Sequence, residues 1–182
     1  MDLSIIIPCY CSGDNIKKVV NDIDATMGKT DMTYEIIMVN DGSPDNTFEI
    51  IEEIAKKREN TYAVDLARNS GQHAAIMAGF NYAKGEVIAT CEDDGQTEVS
   101  IIPQLIEKLN EGYDVAAPRY VDRGKRSLYR EFGTKCATAM ANWMIPRPKG
   151  VLVPIFFAAK KFVVKEIIKY NQPYPYIEGL VL

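Results

Sequence analysis

The 182-residue sequence has one histidine, one tryptophan, four cysteines and no long apolar run. Each scarcity removes a class of explanation. Cys9, Cys11, Cys91 and Cys136 form no C-x-x-C pair and follow no framework spacing, which excludes a disulfide-stapled scaffold and a zinc ribbon. Cys9 and Cys11 are open to two readings: a soft-metal pair, or small residues at a strand end in a reducing compartment. The longest apolar stretch, Val151 to Ala159, contains Pro154 and falls well short of the roughly eighteen residues a membrane span needs. The opening MDLSIIIPCY lacks a basic region ahead of a long apolar one, so it does not read as a signal peptide.

Glycine-rich phosphate loops are missing too. No Gly-x-Gly-x-x-Gly follows the first apolar run and no Gly-Lys-Ser/Thr loop occurs, which leaves dinucleotide and P-loop nucleotide binding unsupported. A phosphorelay receiver needs an acid pair after its first strand, where this chain has Cys9-Tyr10-Cys11. Nor is there an excess of positive charge: 21 Lys and Arg against 25 Asp and Glu leave a net −4, a poor balance for nucleic-acid binding. What remains is 47% hydrophobic and 25% charged, the composition of one folded domain expected to be soluble as it stands.

Short β-branched runs alternate with amphipathic stretches, which predicts an α/β fold with a Rossmann-like, mostly parallel sheet and helices on both faces. Strands are expected at Leu3–Pro8, Tyr34–Asn40, Tyr62–Ala67, Glu86–Cys91, Asp114–Ala117 and Val151–Ala159. Helices are expected at Asp14–Thr26, Asp45–Arg58, Gly71–Ala83, Ile101–Glu111 and Lys161–Tyr170, with Ser100 as a cap, Gly85 as a left-handed stop and an irregular ending from Pro173.

In an open parallel sheet, ligands collect beyond the carboxyl ends of the strands. Three such ends carry chemistry here: Pro8-Cys9-Tyr10, Asn40-Asp41-Gly42-Ser43 and Glu92-Asp93-Asp94. Three consecutive acids repel one another, and a cation relieves them. In an extended segment Glu92 and Asp94 project to one side and Asp93 to the other. Oxygen donors without histidine or thiolate suit Mg²⁺ or Mn²⁺. The plain alternative is an acidic turn capping the next helix.

With these positions laid out, the chain resembles the inverting family 2 glycosyltransferases of GT-A fold, especially the branch of dolichyl-phosphate mannose synthases and bacterial undecaprenyl-phosphate sugar transferases. The resemblance rests on SIIIPCY, EIIMVNDGSPDNT, LARNSGQHAAIMAGF, ATCEDDGQ and GYDVAAPRY in that order, nearly end to end. It implies a single GT-A donor-binding domain over residues 1–182 and a UDP- or GDP-sugar held by Pro8, Tyr10, Asp41, Ser43, Arg68, Gly71 and Asp93. It also implies a Mg²⁺ or Mn²⁺ ion on Asp94 and Glu92, and catalytic parts for Asp93, Asp94 and Arg119. Family members commonly have Asp where this chain has Glu92, Asn-Glu where it has Cys11-Ser12, and Pro-Pro-Glu where it has Glu98-Val99-Ser100.

Residues 119 to 135 hold six basic side chains and two acidic ones, so this stretch is either a solvated face or a partner for an anion. Arg119, Arg123, Arg126 and Arg130 are therefore candidates for an acceptor phosphate. A sugar hydroxyl needs a general base to become a nucleophile, whereas a phosphate monoester, with a second pKa of about 6, arrives ionised. No spare carboxylate stands in a motif of its own after the acidic cluster, and His73 on an Ala-rich helix reads as packed or capping rather than as that base. The expectation is transfer to polyprenyl phosphate; transfer to a glycan hydroxyl and a non-catalytic nucleotide-sugar-binding module are the alternatives. The branch usually continues past this point into an acceptor-side segment and membrane helices. The chain is accordingly expected to be the core of an enzyme at the cytoplasmic face of a membrane, with its oligomeric state open.

Overall fold

The computed structural model describes residues 1–95, 98–119 and 154–181. Six strands form one sheet: β1 (Leu3–Cys9), β2 (Tyr34–Asn40), β3 (Thr61–Asp65), β4 (Val87–Thr90), β5 (Val115–Ala116) and β6 (Ala158–Lys160), in the order β3-β2-β1-β4-β6-β5. β1 pairs in parallel with β2 and β4, and β2 with β3. β6 lies antiparallel between β4 and β5. The mostly parallel sheet is thus present, with β6 its one reversed strand among the described residues.

Helices α1 (Asn15–Met27), α2 (Thr47–Lys56), α3 (Gln72–Tyr82), α4 (Ile102–Asn110), α5 (Lys161–Ile167) and α6 (Ile177–Leu180) cover the sheet. β1 is buried along its whole length, and its alternating side chains feed two cores. Leu3, Ile5 and Ile7 join Ile16, Val19 and Ile23 of α1 and Leu105 of α4, whereas Ile6 joins Ile37 and Val39 of β2 with Ile76 and Phe80 of α3. Each fully buried aliphatic or aromatic side chain contributes about 1.5–3 kcal/mol. Two-sided burial explains why β1 reads as a continuous apolar run.

Four local expectations change. Ser100 does not cap α4: its hydroxyl donates to Glu98 Oε1 (3.1 Å), and a 3-10 turn, Val99–Ile101, starts the helix. Gly85 is not left-handed; it is required because a Cβ there would lie 2.5 Å from the Ser4 nitrogen. The last strand begins at Ala158 rather than Val151. Within the described part of the expected strand, Thr90 N–H still donates to the Phe157 carbonyl (2.9 Å), but Phe157 N–H donates to Thr90 Oγ1 (3.2 Å) and Thr90 Oγ1 to the Ile155 carbonyl, side-chain bonds that interrupt a regular ladder. The ending contains α6, a single turn anchored by fully buried Ile177.

Candidate functional site

Connections leave β1 toward β2 on one side and reach β4 on the other, so the strand order reverses at the β1/β4 pair. A crevice opens there, beyond the carboxyl ends of the strands. It is a cleft of about 300 Å³ walled by Pro8, Tyr10, Asp41, Gly71 and Asp93, with Cys9, Asn69 and Gln72 completing it. A larger groove of about 500 Å³ runs between α1 and α2, but its cations are already paired: Lys17 with Asp14, Lys57 with Glu53 and Arg58 with Asp24. Of these two, the first joins loops from several strand ends.

Asp41 follows β2 and is 3% exposed. Its Oδ1 accepts from Ser70 N–H (2.7 Å) and its Oδ2 from Gly71 N–H (2.8 Å). Charged acceptors strengthen such bonds, so Asp41 fixes the loop that forms one wall of the cleft. Neighbouring Gly42 has φ +60°, and a Cβ on it would lie 2.5 Å from the backbone of Arg68 and Asn69. The two loops are in direct contact.

Across the cleft, Asp93 Oδ2 accepts from Tyr10 N–H (3.2 Å) and from the Ser12 hydroxyl. The backbone turns between these donors at Cys11, whose φ of +53° lies in the left-handed region. Cys11 N–H donates to Ser43 Oγ (3.1 Å), and Ser12 N–H to Thr47 Oγ1 (3.0 Å). Ser12 and Thr47 were not among the candidates from sequence. They come together across 35 positions of chain, and no local pattern marks them.

Cys9 is fully buried on the α1 side of the sheet while Cys11 is exposed, which favours small residues at a strand end over a metal pair. Burial pushes the Cys9 and Cys91 thiols well above their ordinary range, and adjacent carboxylates, Asp93 for Cys9 and Glu92 for Cys91, add to it. Neither thiol is a thiolate near neutral pH.

The remaining candidates divide. Tyr10 is half exposed at the cleft mouth, with its ring available for stacking. Ser43 and Arg68 lie beside the cleft rather than in its walls; Ser43 is occupied with Cys11 N–H, and Arg68 is exposed. Glu92 is partly buried and Asp94 exposed at the end of β4, and neither lines the cleft. Among the described residues no three His, Cys, Asp or Glu side chains converge on a metal position. Arg119 is exposed beyond β5, while Arg123, Arg126 and Arg130 lie outside the described residues. His73 is half-buried: its ring packs edge-on against Tyr176 at 5.7 Å, and its Nε2 lies 3.6 Å from Glu178 Oε2. Among the described residues, no helix is long and apolar enough to cross a membrane.

Residues 4–168 match the model of glycosyl transferase family 2. An undecaprenyl-phosphate 4-deoxy-4-formamido-L-arabinose transferase of Photorhabdus laumondii is 33% identical over 171 residues, covering 93% of this chain and 52% of that one. Its namesake in Yersinia enterocolitica is 40% identical over 149 residues, covering 81% and 44%. The chain therefore spans about half the length of the curated relatives it matches. Among solved structures, Mycobacterium tuberculosis glucosyl-3-phosphoglycerate synthase with Mn²⁺, UDP and phosphoglyceric acid superposes with a TM-score of 0.67 at 20% identity, covering 91% of this chain and 58% of that one. S. aureus TarS 1–349 gives 0.65 at 17% identity, covering 99% and 53%. At such identities these two structures bear on the fold alone, and that fold is GT-A.

Proposed function

The chain belongs to glycosyl transferase family 2, and on that premise we propose that it is the donor-binding domain of an inverting transferase that moves a sugar from UDP or GDP to polyprenyl phosphate. The observation that carries this reading is the cleft at the β1/β4 crevice, where Tyr10 presents an aromatic face and Asp41 and Asp93 present carboxylates from opposite walls. Relatives named for transfer to undecaprenyl phosphate support the acceptor class.

In this reading the nucleoside lies over Tyr10 and between the Asp41 and Asp93 walls, with the diphosphate toward the end of β4. Asp94 and Glu92 would hold Mg²⁺ or Mn²⁺. Their oxygen-only chemistry fits a hard cation completed by substrate phosphates, which requires just one or two carboxylates, and does not fit an all-protein cage. When bound, such an ion neutralises charge on the departing diphosphate. An acceptor phosphate oxygen forms the new bond to the anomeric carbon as the bond to the diphosphate oxygen breaks, its electron pair leaving with the nucleoside diphosphate. Attack opposite the leaving group inverts the anomeric centre. The acceptor is already an anion near neutral pH, so no side chain has to remove a proton. Arg119, followed by Arg123, Arg126 and Arg130, supplies positive charge for it.

Titration calorimetry with UDP and GDP, with and without Mn²⁺, followed by turnover on polyprenyl phosphate, tests the proposal. Metal-enhanced binding of one nucleotide and glycosylation of the lipid phosphate are expected. Absence of binding rejects the donor site; turnover only on a glycan hydroxyl rejects the acceptor; binding without turnover on either leaves a binding module.

A further inference from the structure

The Ser12 hydroxyl sits in an unusual position for a serine in a surface turn: it is 6% exposed and donates to a carboxylate that walls the cleft. Its own backbone is pinned, because Ser12 N–H and Gly13 N–H both donate to Thr47 Oγ1, at 3.0 and 3.4 Å, and Thr47 is fully buried at the start of α2. The hydroxyl is thus held by a second helix while it reaches 81 positions along the chain to Asp93. Tyr10 N–H approaches the same Oδ2. Two donors on one oxygen set the rotation of the carboxylate about its Cβ–Cγ bond. A lone Tyr10 bond at 3.2 Å does not impose that orientation, and Glu92 and Asp94 on either side repel the Asp93 charge.

We infer that Ser12 is a positioning residue, which acts on the donor nucleotide only through Asp93. This deepens the proposed function and rests on the cleft being the donor site.

The test measures UDP affinity in the presence of Mn²⁺ for the full chain and for Ser12→Ala, Ser12→Thr, Asp93→Ala and the Ser12→Ala/Asp93→Ala pair, with thermal unfolding in parallel. A hydrogen bond to a charged group is worth a factor of about ten or more in affinity when removed. Ser12→Ala is therefore expected to bind about tenfold more weakly, Ser12→Thr to recover most of that loss, and the double variant to match Asp93→Ala alone. Wild-type affinity in Ser12→Ala, or losses that simply multiply in the double variant, overturns the inference. If Ser12→Ala does not fold, Ser12→Cys, with a similar shape and a feeble donor, takes its place. If wild-type chain binds neither UDP nor GDP, the donor-site reading fails, and a crystal structure of Ser12→Ala then decides the positioning role. An Asp93 carboxylate swung away from Tyr10 N–H supports it, and an unmoved one overturns it.

Discussion

Strand β2 carries a buried carboxylate near each end, and the two do different things with the same chemistry. Glu35, at the amino end, is fully buried; its Oε1 accepts from the Ser4 hydroxyl (2.6 Å) and from Lys84 N–H (2.7 Å), while Gly85 N–H donates to Ser4 Oγ (2.8 Å). Asp41, just past the carboxyl end, accepts from Ser70 and Gly71 N–H. Both pin a loop beside α3 by its backbone. Glu35 is sealed in by its loop, whereas the loop held by Asp41 walls a cleft. Glu35 leaves its Oε2 buried without a hydrogen-bond partner among the described residues, whereas both Asp41 oxygens are bonded, so burial of an acid is no sign of function by itself; the open space beside Asp41 and the second carboxylate across it make the difference.

The comparison breaks if the two ends respond alike. Glu35→Ala leaves the Ser4 hydroxyl without its acceptor, takes the shorter of two bonds from Lys84 N–H (Ser4 Oγ remains at 3.1 Å) and is expected to lower stability by about 1–3 kcal/mol in urea unfolding, with UDP affinity of the folded protein changed less than twofold. Asp41→Asn is expected to cost less than half that in stability but at least tenfold in UDP affinity, read by calorimetry. Equal losses of affinity in both would erase the distinction. Thiol labelling with peptide mapping sharpens it further. Cys11 at the cleft side should alkylate in the native protein and be slowed by UDP, while Cys9 and Cys91, buried with thiols held protonated, should react only after unfolding.

The amino end also has a pH signature. The Tyr34 hydroxyl donates to Asp24 Oδ1 (2.7 Å), and Arg58 pairs with the same carboxylate. Burial, and then the bond to Asp24, raise the Tyr34 pKa above its ordinary value of 10.0. The folded state therefore binds that proton more tightly; its contribution is complete below about pH 10 and fades as pH rises through the folded value. The stability advantage of wild type over Tyr34→Phe should shrink above pH 10 in urea titrations. The smallest effect belongs to Cys11, whose left-handed backbone suits asparagine better. Cys11→Asn should raise stability by about 0.5–1 kcal/mol, a shift of roughly 1–4 °C in melting temperature. A loss of stability would mean that the thiol makes contacts worth more than the strain.

The sheet was legible in the sequence because the strands are apolar enough to declare themselves. Leu3–Pro8 and Tyr34–Asn40 come within a residue of β1 and β2, and of the acids that wall the cleft Asp41 follows directly from where the second run stops, while Asp93 lies just past β4. Ser12, Thr47 and Glu35 were not legible. Ser12 meets its partner 81 positions away, and Glu35 stands in an otherwise apolar strand with its reason for being there 49 positions downstream at Lys84. The reversal of β6 escaped for a related cause: Ala158–Lys160 is too short and bland to carry a direction, which pairing with β4 and β5 supplies. Ser100 failed as a cap because capping depends on geometry that a 3-10 turn changes.

That reversed strand also makes the molecule editable. Ala116 of β5 and Ala158 of β6 are register partners, so β5 ends and β6 begins at neighbouring positions. The closing entropy of such an excursion grows only with the logarithm of its length, about 0.6 kcal/mol per doubling. A change of length between these two posts therefore costs little in closure so long as Phe156 and Phe157, fully buried in the two cores, are kept, and it leaves the register of β3, β2, β1 and β4 unchanged.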